Sequence, residues 1–505
     1  MTNQGGESMK KILIVLLLSL TCASTQALAT IFTVDHIKYS VISTTDNTVQ
    51  VEGIDDNTIT DLTIPGTVEY NGTNYQVTTI KGYSFNNNNV LKNVVVSEGI
   101  TTIGYSAFGI CSNLESISLP KTLSKFDTST LCVFRECYNL KSIKVAEGNT
   151  ALKVDECGVL YDYDMKNLIY CPPAIEKSKV KANYVVPSTV ENICNYAFNK
   201  CPFTHVVLPS NLKKIGELAF LRSSDALHAE LTIPANVTNI GSGVFNRSTI
   251  KSIFFLWDGT SSLPKNFTNF SGLTIYVKKS VYDNHIADLK NWSSSATFAY
   301  KIPINKAKTY STLCRDFDVD LSNSETSTGI KAFYAASVSN GKVTLKEINY
   351  VPSRTGTNHD EYTGVIIKVA STNKDYYYQI GEKDYTSASQ APSLSGNLLV
   401  GAPAETFIDG PADDHMYGLY NGEFRRYSDQ GFLAYNKAYL RLPESTAGAK
   451  RLSLSIEETP TGINEVSESK ESDASYYTLS GTRLSGKPTH PGIYIHGGKK
   501  VVWTK

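Results

Sequence analysis

One phrase returns along this chain about every two dozen residues, and that period constrains the fold more than anything else in it. A strand-like pattern, L-x-x-I-x-L-P, begins at Leu114. An arc-like pattern, I-G-x-x-A-F-x-x-C-x-x-L, runs from Ile103 through Phe108 to Leu114, and its end recurs as Phe134-Arg-Glu-Cys137-Tyr-Asn-Leu140. Phe85 and Phe108 lie 23 residues apart, and Phe108 and Phe134 lie 26 apart. Further copies carry Phe198, Phe220 and Phe245, and the pattern fades near Val277. A unit this short cannot bury its own apolar face. Stacked units share one continuous core, with stability held mainly in the interfaces between neighbours. The expected fold is mainly β: a solenoid over 81–300, with short strands joined by helical turns.

Side chains alternate faces along a strand. If Leu114, Ile117 and Leu119 point inward, Ser116 and Ser118 point out. The same alignment predicts outward pairs at Asn93 and Val95, Ser142 and Lys144, His205 and Val207, Glu230 and Thr232, and Ser252 and Phe254. These twelve residues form one stripe, expected on the concave side. Val95, Val207 and Phe254 read as exposed apolar positions in a polar frame, a composition suited to protein recognition. Strands also favour β-branched residues for reasons unrelated to binding.

The combination of A-F-x-x-C-x-N-L with an I-P strand end resembles the BspA-type leucine-rich repeat, over roughly residues 60–280. Cys157-Gly-Val-Leu-Tyr161 with Leu168-Ile-Tyr-Cys-Pro-Pro173 resembles an insertion common in that family. The resemblance implies a secreted or cell-surface protein of a Bacteroides-like bacterium that binds host or microbial surface proteins.

Outside the repeats, Lys10-Lys11, the apolar run Ile12–Leu20 and Ala27-Leu-Ala29 read as an export signal over 1–29. The apolar run is too short to span a membrane. Residues 30–80 alternate and contain an Asn71-Gly72 hairpin signal, the pattern of a β cap over the first coil. Beyond residue 300 the period stops. Short alternating runs separated by turns such as Asn340-Gly341 predict an all-β, sandwich-like domain over 301–457. This stretch resembles a C-terminal β-module of secreted Bacteroides and Prevotella proteins. Residues 458–475 are Glu-, Ser- and Thr-rich and read as a linker. The final 476–505, with Tyr477-x-Leu-x-Gly481-x-Arg483 and Gly492-Ile-Tyr-Ile495, resembles a sorting or anchoring module read by the type IX secretion route; Leu484 replaces the usual valine.

The chemistry of catalysis is sparse. There is no H-E-x-x-H, G-x-S-x-G or phosphate-binding loop, and no cofactor is expected. Net charge is zero and only 19% of residues are charged, which excludes a nucleic-acid surface. Cys111, Cys137 and Cys201 share one slot of the repeat and read as buried thiols, whereas Cys157 with Cys171 is the better disulfide pair. Asp316-Phe-Asp318-Val-Asp320 offers carboxylates on one strand face. A calcium site there is weighed against a solvated face, and the second is favoured. His359-Asp-Glu361 and Asp413-Asp-His415 are the remaining polar clusters. The chain therefore reads as a non-enzymatic binding or adhesion protein with a protein partner. The alternative is a glycan-binding surface protein in which Trp257 and Tyr376–Tyr378 stack on sugars.

Overall fold

A computed structural model describes residues 31–457, apart from 128–131, 176–182, 201, 204, 224–229, 265–271, 305–307, 323–328, 356–360, 382–393, 395, 403–405, 409–414, 428–430, 434–436 and 444–448. It also describes parts of 476–503. The expected export signal, the linker, Cys201, most of His359-Asp-Glu361, and Asp413-Asp414 lie outside the described residues.

Strands Asp61–Ile64, Asn93–Val96, Ser116–Leu119 and Ser142–Val145 form one parallel sheet, in that spatial order. The end of Thr73–Ile80, then Thr102–Ile103 and Lys125–Phe126, form a second parallel ladder on the other side of each coil. The first parallel strand thus lies inside the stretch assigned to the cap. Around it, Ile31–Val34, Ile37–Ser43 and Thr48–Ile54 pair in an antiparallel meander. The Asn71-Gly72 hairpin closes Thr67–Tyr70 on Thr73–Ile80, with both turn residues at positive φ.

The arc of each coil is a chain of turns, not a helical turn. Residues two before and two after most ladder phenylalanines are left-handed: Tyr83 and Asn87 around Phe85, Ser106 and Ile110 around Phe108, Tyr196 and Lys200 around Phe198. Each such residue costs about 1–2 kcal/mol, and none fits a right-handed helix. Hydrogen bonds between coils offset this strain: Phe85 N–H donates to Ala107 O at 2.8 Å, and Asn87 N–H to Gly109 O at 2.8 Å. The phenylalanines stack in register, with Phe85 and Phe108 centroids 5.1 Å apart and Phe198 and Phe220 5.1 Å apart.

The cysteine slot has a specific geometry. Cys111 Sγ donates to Phe85 O at 3.1 Å and Cys137 Sγ to Phe108 O at 2.9 Å. Later in the solenoid, Ser223 fills the slot and donates to Phe198 O at 2.8 Å. The slot selects a small donor that bonds the phenylalanine carbonyl of the preceding coil; the Phe85 carbonyl accepts from Asn88 N–H at 3.1 Å as well.

The insertion folds as an antiparallel hairpin of Leu160–Asp162 and Asn167–Tyr170, with Leu152–Val154 alongside. Asn167–Tyr170 then rejoins the parallel ladder through Asn192–Ile193. Cys157 and Cys171, which flank it, are both buried, and Cys171 Sγ donates weakly to Pro172 O at 3.9 Å. The coils resume with Asn183–Val185 beside His205–Val207, and with Glu230–Ile233, Ser252–Phe255, Thr274–Tyr276 and Thr297–Ala299 in one parallel sheet. The helix Lys279–Trp292 closes this end, burying Val281 and Leu289 in the solenoid core. Its signal lay in Tyr282, Ile286 and Leu289, spaced for one helical face.

The described residues of the later region are β-rich, as expected, in barrel-like form. Nine strands curl from Tyr310–Leu313 to Leu399–Ala402, and Val400 is bridged back to Thr363 beside Val365–Val369. Phe333, Leu345, Tyr417, Phe424 and Leu440 are buried in its core. A separate unit after residue 457 contains the antiparallel strands Tyr476–Tyr477, Gly492–His496 and Lys499–Trp503.

Candidate ligand-binding face

The predicted alternation holds in the three strands from Asn93 to Val145, where outward and inward positions follow one another. Asn93, Val95 and Lys144 are exposed, and Ser116, Ser118 and Ser142 are half-buried. Val95 is 46% exposed, a large apolar side chain open to solvent. The stripe also extends one coil further than expected, to Asp61 and Thr63, which register against Asn93 and Val95. A polar ladder runs across it: Asn93 Nδ2 donates to Asp61 Oδ1 at 2.7 Å, and Ser116 Oγ donates to Asn93 Oδ1 at 2.7 Å. Thr60 Oγ1 also donates to Asp61, and these two bonds hold the exposed carboxyl below its usual range.

The second half of the stripe is closed. His205, Val207, Thr232 and Phe254 were expected outside and are buried; Phe254 is only 1% exposed. Glu230 and Ser252 are half-buried. Over Glu230, Thr232 and Phe254 the cause is the β-region itself, whose Arg315-Asp316-Phe317 segment lies across them. Arg315 Nη1 pairs with Glu230 Oε2 at 2.7 Å, Thr232 Oγ1 donates to Asp316 Oδ1 at 2.7 Å, and the rings of Phe254 and Phe317 are 4.8 Å apart. Phe254 joins Ile302, Val319, Val351, Val365 and Ile380 in one buried cluster spanning both regions. Burial works against the charge on Arg315, but Tyr378 and Glu230 outweigh it and hold the guanidinium protonated. Sequence reasoning aligned these strands correctly and missed their cover, because nothing local to Phe254 signals a contact some 60 residues away.

The same folding removes the proposed sugar platform. Trp257, Tyr376 and Tyr378 are buried, and the Trp257 indole donates to Ser261 O at 3.1 Å. The three carboxylates of Asp316–Asp320 do not converge. Asp316 accepts from Thr232, Asp318 from Tyr350 Oη at 3.1 Å and Ser353 N at 2.7 Å, and Asp320 from Ser322 N at 2.7 Å and Gln379 Nε2 at 3.0 Å. Among the described residues no group of three or more His, Cys, Asp or Glu side chains is placed to hold a metal ion. No helix among them is long and apolar enough to cross a membrane.

Stacked parallel strands with inward aliphatic residues, closed by arcs that carry a phenylalanine ladder, define a leucine-rich-repeat solenoid. Within it, residues 59–157 and 176–288 match the BspA type leucine rich repeat region in six copies, interrupted at the insertion. Among solved structures, the chain is similar to a leucine-rich repeat protein from Eubacterium ventriosum (19% identity, 48% of this chain and 77% of that one, TM-score 0.31). It is also similar to the pneumococcal vaccine antigen PcpA (19%, 54% and 98%, TM-score 0.31). A third similar structure is a leucine-rich repeat protein from Bacteroides ovatus (20%, 53% and 76%, TM-score 0.27). No curated protein matches the chain.

Proposed function

We propose that this protein is a secreted or cell-surface binding protein without catalytic activity, which recognises a protein partner through the open half of its strand face. The observation that carries this reading is Val95, exposed at the centre of a polar frame made by Asp61, Thr63, Asn93, Ser116, Ser118, Ser142 and Lys144. A rigid face with one apolar anchor and a hydrogen-bonded rim is the arrangement in which a few residues dominate affinity. Because the coils are already ordered, little entropy is lost at the protein's own surface on binding. The last 30 residues, with their type IX-like phrase, are proposed as the sorting or retention module of a Bacteroides-like cell.

The test is a binding screen of the full chain against extracellular-matrix and bacterial surface proteins, with a glycan array in parallel. A Val95→Asp variant, checked for wild-type circular dichroism, accompanies it. Protein binding lost in the variant supports the reading. Binding to glycans alone, unchanged in the variant, overturns it.

A further inference from the structure

The strand-face sheet ends at Asp61–Ile64, and among the described residues no strand pairs with its outer side. The direction of its free peptide groups follows from the bonds it makes. Asn93 N–H donates to Thr60 O at 3.1 Å and Ser97 N–H donates to Ile64 O at 3.0 Å, so the even-numbered residues turn their main-chain groups toward the neighbouring strand. In a strand the N–H and C=O of one residue point the same way, and successive residues alternate. The main-chain groups of Asp61 and Thr63 therefore point away from the sheet.

They point into a crevice of about 580 Å³ between the cap and the first coil. One wall is the turn around Val34, Asp35 and Ile37, and the other is Thr67–Glu69, with Asp61, Leu62 and Thr63 along the edge. The lining carries three carboxylates, Asp35, Asp61 and Glu69, all on exposed residues, and no lysine, arginine or histidine. An open strand edge is a template for an added strand, with main-chain bonds supplying affinity and alternate side chains supplying selectivity. A second copy of this chain would bring the same three acids against their equivalents, and like charges directly opposed are destabilising.

We infer that this crevice binds an extended, lysine- or arginine-bearing segment of a partner protein, which adds as a further strand beside Asp61–Ile64. The inference rests on the binding-protein reading above and names the chemistry of the partner. The incoming chain lies about 4.8 Å from the edge strand. Its main chain bonds Asp61 and Thr63, and its basic side chains meet Asp35, Asp61 and Glu69.

The test uses the full chain and a fluorescent eight-residue peptide alternating lysine and valine, read by anisotropy. A glutamate–valine peptide is the control. Binding is expected for the lysine peptide only, weakening as salt rises. Thr63→Pro removes one outward N–H and leaves the inner ladder intact, an exchange tolerated at a strand edge; it is expected to weaken binding at least about tenfold. Asp35→Lys with Glu69→Lys, which leaves the edge untouched, is expected to do the same. Both variants are checked by thermal melting. Absence of binding to the wild type, equal binding of the glutamate peptide, or undiminished binding by folded Thr63→Pro would overturn the inference. So would a dimer of the wild type that Thr63→Pro dissolves, since the occupant would then be a second copy. Val95→Asp separates the two readings: it should abolish capture of a protein partner and leave the peptide bound.

Discussion

Arg315 pairs with Glu230 at 2.7 Å while its guanidinium lies 5.0 Å from the ring centre of Phe254. One side chain of the β-region thus engages one stripe residue from each of two neighbouring strands in the later coils. Breaking such a pair by removing one partner leaves the other charge without compensation, typically at a cost of about 3–5 kcal/mol. Arg315→Ala is therefore expected to lower stability by about that much in denaturant unfolding. Phe254→Ala should cost a similar ~3–5 kcal/mol. The double variant should fall short of the sum, because both remove one contact. Limited proteolysis between the last coil and the barrel should accelerate in each.

The Ile-Gly step of the repeat predicts an ordering among glycine variants. A Cβ at Gly104 would stand 2.5 Å from Gly82 N and 2.9 Å from its Cα, so the two coils would have to separate. At Gly72 no atom lies within 4 Å, and only the positive φ resists substitution. Gly104→Ala should cost more than Gly72→Ala, with overpacking adding about 1–3 kcal/mol. Thermal melts of the two variants check the order.

The cysteine slot predicts tolerance of serine. Ser223 already fills it with the same bond to the preceding phenylalanine carbonyl. Cys137→Ser should change stability little, whereas Cys137→Ala removes the donor and leaves a buried carbonyl unpaired, at about 1–3 kcal/mol. Burial pushes the Cys132 thiol up to about 12 and holds Cys137 well above its ordinary value. The native protein should therefore leave Cys132 and Cys137 unlabelled by a thiol reagent until denaturant is added, and Cys111 with them because it is buried.

Acid should weaken the coil stack in a defined window. The carboxylate of Glu98 is held below its usual range chiefly by Lys121 N–H, with Thr122 N–H adding to it. Lys141 does the same for Glu115, and Lys213 for Glu191. A group whose folded value is depressed contributes stability above its unfolded pKa and loses it as pH falls through the folded one. Melting temperature should hold above about pH 5 and decline from about pH 4 downward. Glu98→Gln should flatten that decline; an unchanged slope would assign it elsewhere.

Much of the first half was legible. The period placed Phe85, Phe108 and Phe134 in one ladder, and alternation separated Ile117 and Leu119 from Ser116 and Ser118. The arcs were misjudged as helical because left-handed residues such as Ile110 carry no compositional mark; the Ile110 N–H bonds Arg135 O of the adjacent coil at 2.6 Å. The edge of Asp61–Ile64 was also hidden, because Leu62 and Ile64 read equally well as cap or coil.

What the sequence determined by itself was each coil: its length, its inward residues, its slot for a small buried residue and the orientation of its strand. These follow from contacts repeated at a fixed short separation, and a repeated contact leaves a repeated letter. Only the tertiary structure decided which stretch of the stripe meets solvent. Val95 and Phe254 hold equivalent strand positions, yet one is 46% exposed and the other 1%. The difference is Arg315-Asp316-Phe317 lying over Phe254. That contact occurs once, between distant segments, so it leaves no period to read.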